Sequence, residues 1–212
     1  MTACFLSDED IRKLDRDLRI LIATNGTLSR ILTVVTNDEI VVQIVEQQIH
    51  DVAPKIPELE QLAMGRVLQR RILLKGRTMG NPFVAAESWI AIDLLPPAIM
   101  TRLITTDCPI GEVMAASCLE TSKEAPQVWI GELPGWLAFD GYQNSRTRTV
   151  ARRYRIITGG QPVIIIAEYF LRSVFHDARC AEPDRCQHSN DIDTRIGDRF
   201  ALNDRIPRSP LR

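Results

Sequence analysis

Two side chains of opposite charge, Arg70 and Glu168, fall inside aliphatic runs that read as strands. In residues 67–74 the alternation of a strand puts Arg70 on one face with Leu68, Ile72 and Leu74, while Gln69 and Arg71 point the other way. In residues 163–171 the same counting groups Glu168 with Ile164, Ile166 and Phe170, and the opposite face is apolar as well, so this strand reads as buried on both sides. Burying an ion costs several kcal/mol unless a partner, a ligand or a changed protonation state compensates. A mutual salt bridge would satisfy both residues, and such pairs occur without any function. The alternative is an anion site in which Arg70 clamps a carboxylate. At this point both readings stand.

The elements that must carry these residues follow from period and punctuation. Ser7, followed by Asp8, Glu9 and Asp10, reads as an N-cap, and Ile11, Leu14, Leu18, Leu21 and Ile22 recur at helical spacing, which predicts one helix to about Ala23. Asn25-Gly26 breaks it, and a shorter helix starts near Thr27 with Leu28, Ile31 and Leu32 inward. Six strand-sized runs follow, at 39–47, 67–74, 83–92, 127–132, 149–158 and 163–171. The second and third runs, and the last two, are joined through Gly-containing turns as antiparallel hairpins. Pro96-Pro97 opens one helix to about Ile104 and Pro109-Ile110-Gly111 opens another. The pattern implies a single α+β domain over residues 1–175, with a six-stranded antiparallel sheet. Residues 176–212 are polar and weakly periodic, a C-terminal extension that wraps the domain or is partly disordered.

Composition narrows the partners. A chain of 212 residues, 45% hydrophobic and 25% charged, can bury one good core. With 26 basic against 27 acidic residues the net charge is -1, which gives no overall reason to bind nucleic acid or an anionic membrane. The acidic start lacks the positive, apolar pattern of a signal peptide, and no apolar run is long enough to span a bilayer, so a cytoplasmic protein is expected. Five scattered cysteines do not make a disulfide framework. His176, Cys180, Cys186 and His188 match no zinc-ligand spacing, so no metal is expected. The basic run Arg146, Arg148, Arg152, Arg153 and Arg155 reads as the solvated face of a strand. Trp89, Trp129 and Trp136 read as packing, and neither a Gly-rich phosphate loop nor a G-x-S-x-G motif is present.

Four short segments, in order between about residues 20 and 172, resemble the chorismate pyruvate-lyase family. Leu68-Gln69-Arg70-Arg71-Ile72-Leu73-Leu74 is similar to the strand bearing that family's essential arginine, and Gly160-Gln161-Pro162 leading through aliphatics to Glu168 is similar to its last strand. Cys108-Pro109-Ile110-Gly111 resembles a Thr-Pro-Leu-Gly segment that offers a backbone amide to the ligand, and Thr27-Leu28-Ser29 resembles the helix start that offers another. The chain departs from the compact bacterial enzymes by one more residue between Pro162 and Glu168, by lacking a Thr before that Pro, and by its long extension. The resemblance implies helices that cover one side of the sheet and close over an internal ligand cavity, and a cofactor-free lyase taking chorismate to 4-hydroxybenzoate and pyruvate. Arg70 and Glu168 would be its catalytic pair, and the amides of Leu28 and Ile110 would bind substrate. The actinobacterial branch of the family, which it resembles most, implies a product used for phenolic glycolipids.

The rival reading is a non-catalytic ligand-binding module, because effector domains of a class of bacterial transcription regulators are similar in fold, and fold alone does not choose. Such regulators place a winged helix ahead of the domain, for which the residues before the first strand are too few. A third reading makes the Arg70 and Glu168 charges purely structural. Oligomeric state is not encoded in any feature of the chain.

Overall fold

The computed structural model describes residues 4–52, 54, 62, 65–140 and 148–171. The extension after residue 171, with its two histidines and two cysteines, lies outside the described residues, as does Arg146.

Ser7 does cap a helix, in a reciprocal capping box with Asp10, but that helix, α1, stops after Asp8–Arg12. Asp15 then accepts from the Asp17 amide and starts α2, Arg16–Ala23. The single helix expected from the apolar period is therefore two, because a second N-cap residue lies inside the periodic run and offers the backbone an alternative to continuing. Buried Leu18, Leu21 and Ile22 hold α2 to the sheet. Helix α3, Leu28–Thr36, follows with Thr27 as N-cap, and Asn37 ends it in the left-handed conformation, φ 51°. Helices α4, Pro97–Thr105, and α5, Ile110–Ala115, each start immediately after a proline, as their sequences imply.

The strands are β1 Cys4–Phe5, β2 Ile40–His50, β3 Val67–Gly76, β4 Pro82–Ala91, β5 Ser122–Lys123, β6 Gln127–Glu132, β7 Arg148–Thr158 and β8 Gln161–Phe170. All pair antiparallel, in the order β1-β6-β7-β8-β4-β3-β2, with the short β5 pairing β7. The expected six strands are present, and the two additional ones are two-residue segments too short to leave a periodic signal. Between β7 and β8 the turn residues Gly159 and Gly160 both take positive φ, 54° and 76°, which closes a two-residue hairpin matching the twist of the strands.

The helices lie on one face of the sheet. Leu68, Ile90, Ile164 and Ile166 pack against Ile99, Met100 and Leu103 of α4 and Val113 and Met114 of α5. Ile72, Leu74, Ala86 and Phe170 pack against Leu18, Leu21, Leu28 and Leu32 of α2 and α3. Two apolar clusters thus flank a strip in the middle of the sheet, and the polar residues of interest lie along that strip.

Candidate active site

Register places the strip residue by residue. Glu168 on β8 stands opposite Arg152 on β7 and Ala86 on β4, and Ala86 stands opposite Ile72 on β3. One step along, Tyr154, Ile166, Ser88 and Arg70 form a second row across the same four strands. Two small residues, Ala86 and Ser88, occupy the central strand between Arg70 and Glu168, and over them the sheet is left unfilled. The resulting cavity, about 60 Å³, is lined by Leu28, Ile110, Lys123, Tyr154 and Glu168, with Ile72, Ala86, Ser88 and Ile166 on the sheet side.

Glu168 is 5% exposed and fully engaged. One carboxylate oxygen accepts from the Arg152 Nε at 2.5 Å and the other from the Tyr154 hydroxyl at 3.0 Å. Burial, and after it the Glu168 charge, raises the Tyr154 phenol well above its usual range, so it stays a proton donor to that carboxylate. Arg152, 1% exposed, also donates through Nη1 to the carbonyls of Leu21, Ile22 and Thr24, at 2.6, 2.7 and 3.1 Å. Those carbonyls belong to the C-terminal end of α2, where acceptors lack intrahelical partners and the helix dipole is negative. One guanidinium therefore fixes the buried Glu168 carboxylate and the end of the helix that leads into the Gly26–Leu28 segment. This corrects the reading of the basic run as a solvated face. Arg148 is exposed and Arg153 and Arg155 are half-buried, but Arg152 is core. Alternation carried the signal, since Arg152 shares its face with Val150, Tyr154 and Ile156.

Arg70 is not the partner of Glu168. It is wholly buried and donates to the carbonyls of Thr106 and Cys108, both at 2.9 Å, in the segment entering α5. Its Nε has no acceptor, and no carboxylate forms an ion pair with it among the described residues. Burial pushes this guanidinium down and the Asp107 charge opposes that shift, so the site holds a cation whose neutralisation is incomplete. Arg70 does not itself line the cavity. It lies beside Ile72 and across from Ser88, which do.

The two amide-bearing segments meet over the cavity. Ser29 of α3 donates to Glu112 of α5 at 3.0 Å, and a Cβ on Gly111 would come within 3.2 Å of the Thr27 methyl, so the helix starts touch through the smallest possible residue. Thr27 makes no side-chain cap to α3, which leaves first-turn amides of that helix without an acceptor from their own cap. Sequence reading singled out neither Arg152 nor Tyr154 for this site, nor Lys123, whose strand has two residues and whose partner, Ile156 on β7, is defined only by the fold.

Among the described residues no group of side chains could hold a metal ion, and no helix is long and apolar enough to cross a membrane.

The pattern defining the family described as Rv2949c-like chorismate pyruvate-lyase matches residues 22–176. A chorismate pyruvate-lyase of Mycobacterium leprae is 68% identical over 97% of the chain and 98% of its own length. One from Mycobacterium tuberculosis is 66% identical over 91% of the chain and 98% of its own length. Solved structures share the fold at low identity. A gene product of Staphylococcus aureus has a TM-score of 0.52 at 11% identity, covering 71% of this chain and 90% of that one. A GntR-family transcriptional regulator of Bacillus cereus has a TM-score of 0.51 at 13% identity, covering 66% and 96%.

Proposed function

Because the chain belongs to the Rv2949c-like chorismate pyruvate-lyase family, we propose that it cleaves chorismate into 4-hydroxybenzoate and pyruvate. Chorismate carries a ring carboxylate, an enolpyruvyl ether and, beside the ether, a ring carbon bearing hydroxyl and hydrogen. Loss of that hydrogen and of the ether aromatises the ring, which supplies the driving force. The protein has to orient the substrate and meet the charge that develops, and no cofactor enters the scheme.

The observation that carries this reading is Glu168, a carboxylate on the wall of a largely apolar cavity, held at both oxygens by Arg152 and Tyr154. Glu168 faces the ring carbon that bears the hydroxyl and accepts its proton as the carbon–oxygen bond to the ether breaks. Arg70 supplies the positive charge for a substrate carboxylate, with its unsatisfied Nε as the donor. The amides of Leu28 and Ile110 hold a carboxylate oxygen, and their segments part to admit substrate, since the cavity is smaller than the roughly 300–1,000 Å³ typical of ligand sites. The enzyme works in the cytoplasm, and its product enters phenolic glycolipid assembly.

A transcriptional regulator shares the fold, so function here rests on the site and the family. The test is to incubate the protein with chorismate and follow both products, beside Arg70→Ala. Equimolar 4-hydroxybenzoate and pyruvate, reduced at least about 100-fold in the variant, is the expected result for loss of a charged transition-state contact. Binding of 4-hydroxybenzoate without turnover by the unmodified protein would overturn the assignment in favour of a ligand-binding module.

A further inference from the structure

Lys123 lies in the cavity wall yet no part of the scheme above uses it. Its ammonium donates to the Gly26 carbonyl at 2.9 Å and stands over the Tyr154 ring, 5.4 Å from the centroid. Its neighbour Glu124, the nearest carboxylate in sequence, is taken by Arg155 at 2.5 Å. Among the described residues Lys123 therefore forms no ion pair, although it is half-buried beside Glu168, Tyr154 and the Gly26–Ser29 segment. The ammonium feels the Glu168 charge across the cavity, but its hydrogen bond goes to a neutral carbonyl, and it exchanges that carbonyl for a carboxylate readily because the charge-assisted bond is the stronger one.

Chorismate has two carboxylates, and each product keeps one. Arg70 and Lys123 are anchored on different elements: Arg70, on β3 behind the cavity wall, to the carbonyls of the segment entering α5, and Lys123, on β5 in that wall, to the Gly26 carbonyl. A substrate with two carboxylates can engage one cation with each. On the proposed lyase reading, we infer that Lys123 is the clamp for the enolpyruvyl carboxylate and for the charge that arrives on the departing oxygen. As the ring proton passes to Glu168, the electron pair of the carbon–oxygen bond leaves on the ether oxygen. Enolpyruvate results as its enolate, held at Lys123; it takes a proton from water at its methylene carbon to become pyruvate, and Glu168 returns the ring proton to solvent, which restores the carboxylate. Substrate and product are thereby told apart. 4-Hydroxybenzoate retains the inner contacts and makes none to Lys123.

The inference is tested with Lys123→Met and Lys123→Arg in the full chain, measuring KM and kcat for chorismate and the dissociation constant of 4-hydroxybenzoate. Lys123→Met raises KM, or lowers kcat/KM, by about 10- to 100-fold, the usual worth of one charge-assisted contact. The 4-hydroxybenzoate constant stays within about twofold, and Lys123→Arg recovers most of kcat/KM. Unchanged kinetics in Lys123→Met would overturn the inference. So would a parallel loss of chorismate and 4-hydroxybenzoate binding, which would make Lys123 a tether for the Gly26 segment alone. These outcomes are separate from failure of the lyase reading itself, which shows as no turnover by the unmodified protein.

Discussion

Truncating Arg152 removes more than the partner of Glu168. Arg152→Met leaves a buried carboxylate with one hydrogen bond and three helix-end carbonyls without a donor. Breaking a buried pair from one side costs about 3–5 kcal/mol, and a denaturant midpoint should fall accordingly. Arg152→Lys should rescue little, because an ammonium cannot serve Glu168 through one nitrogen and the helix end through another. Tyr154→Phe is the milder probe. It deletes a hydroxyl whose one hydrogen bond among the described residues is to Glu168, so kcat should fall about 10- to 100-fold while the midpoint falls less than in Arg152→Met, as expected for loss of one hydrogen bond to a charged group. Retention of full kcat would make Tyr154 a packing residue. At this scale the sequence showed that Arg70 and Glu168 were anomalous but not what they bonded to. Each was placed on the correct face by alternation, yet their separation by β4 depends on long-range strand order, which local pattern does not contain. Arg152 was legible by the same alternation and was hidden by its charged neighbours in the run.

Elements position the site through their ends. The N-terminal starts of α3 and α5 abut over the cavity, and Ser29 to Glu112 is the polar contact across them. Glu112→Gln keeps the shape and weakens that contact, so 4-hydroxybenzoate should dissociate faster by up to about tenfold in stopped-flow displacement, the scale of one hydrogen bond. No change in off-rate would mean that the two segments separate elsewhere. On the far side of α3, Asp38 accepts from the amides of Thr78 and Met79 and pins the β3–β4 hairpin turn. Burial works to raise its carboxyl, but those donors outweigh it and hold Asp38 below the usual range. A group depressed in the folded state stabilises above its unfolded pKa of about 3.9, and that contribution vanishes as pH falls through the folded value. Asp38→Asn should therefore flatten the acid limb of stability measured as urea midpoint against pH, and an unaltered limb would assign acid lability to other carboxylates. The strands and their hairpins were readable because turn chemistry and period agree along the chain. The break between α1 and α2 was not, since Asp15 reads equally as a surface position of a continuing helix or as the cap of a new one.

For the whole molecule, the cavity is the place where the two apolar clusters fail to meet, and small residues on β4 keep it open. Ala86 stands opposite both Glu168 and Ile72, so the volume exists because the central strand carries a methyl where its neighbours carry larger side chains. Nothing in the local sequence marks Ala86 as special, as alanine is ordinary in a buried strand; its meaning arises only once β3 and β8 flank β4. A ligand that binds the folded state alone stabilises it by about 2.7 kcal/mol at 100 times its dissociation constant. For a chain of this size that should raise Tm by about 5–10 °C when 4-hydroxybenzoate is added. Ala86→Leu should abolish that shift. Overpacking a filled core usually costs about 1–3 kcal/mol, but this side chain grows into empty space beside Glu168, so the unliganded Tm should move little while the ligand-induced rise disappears. A variant that melts normally and still responds fully to 4-hydroxybenzoate would show that the ligand occupies another surface, and would separate the cavity from the chemistry assigned to it.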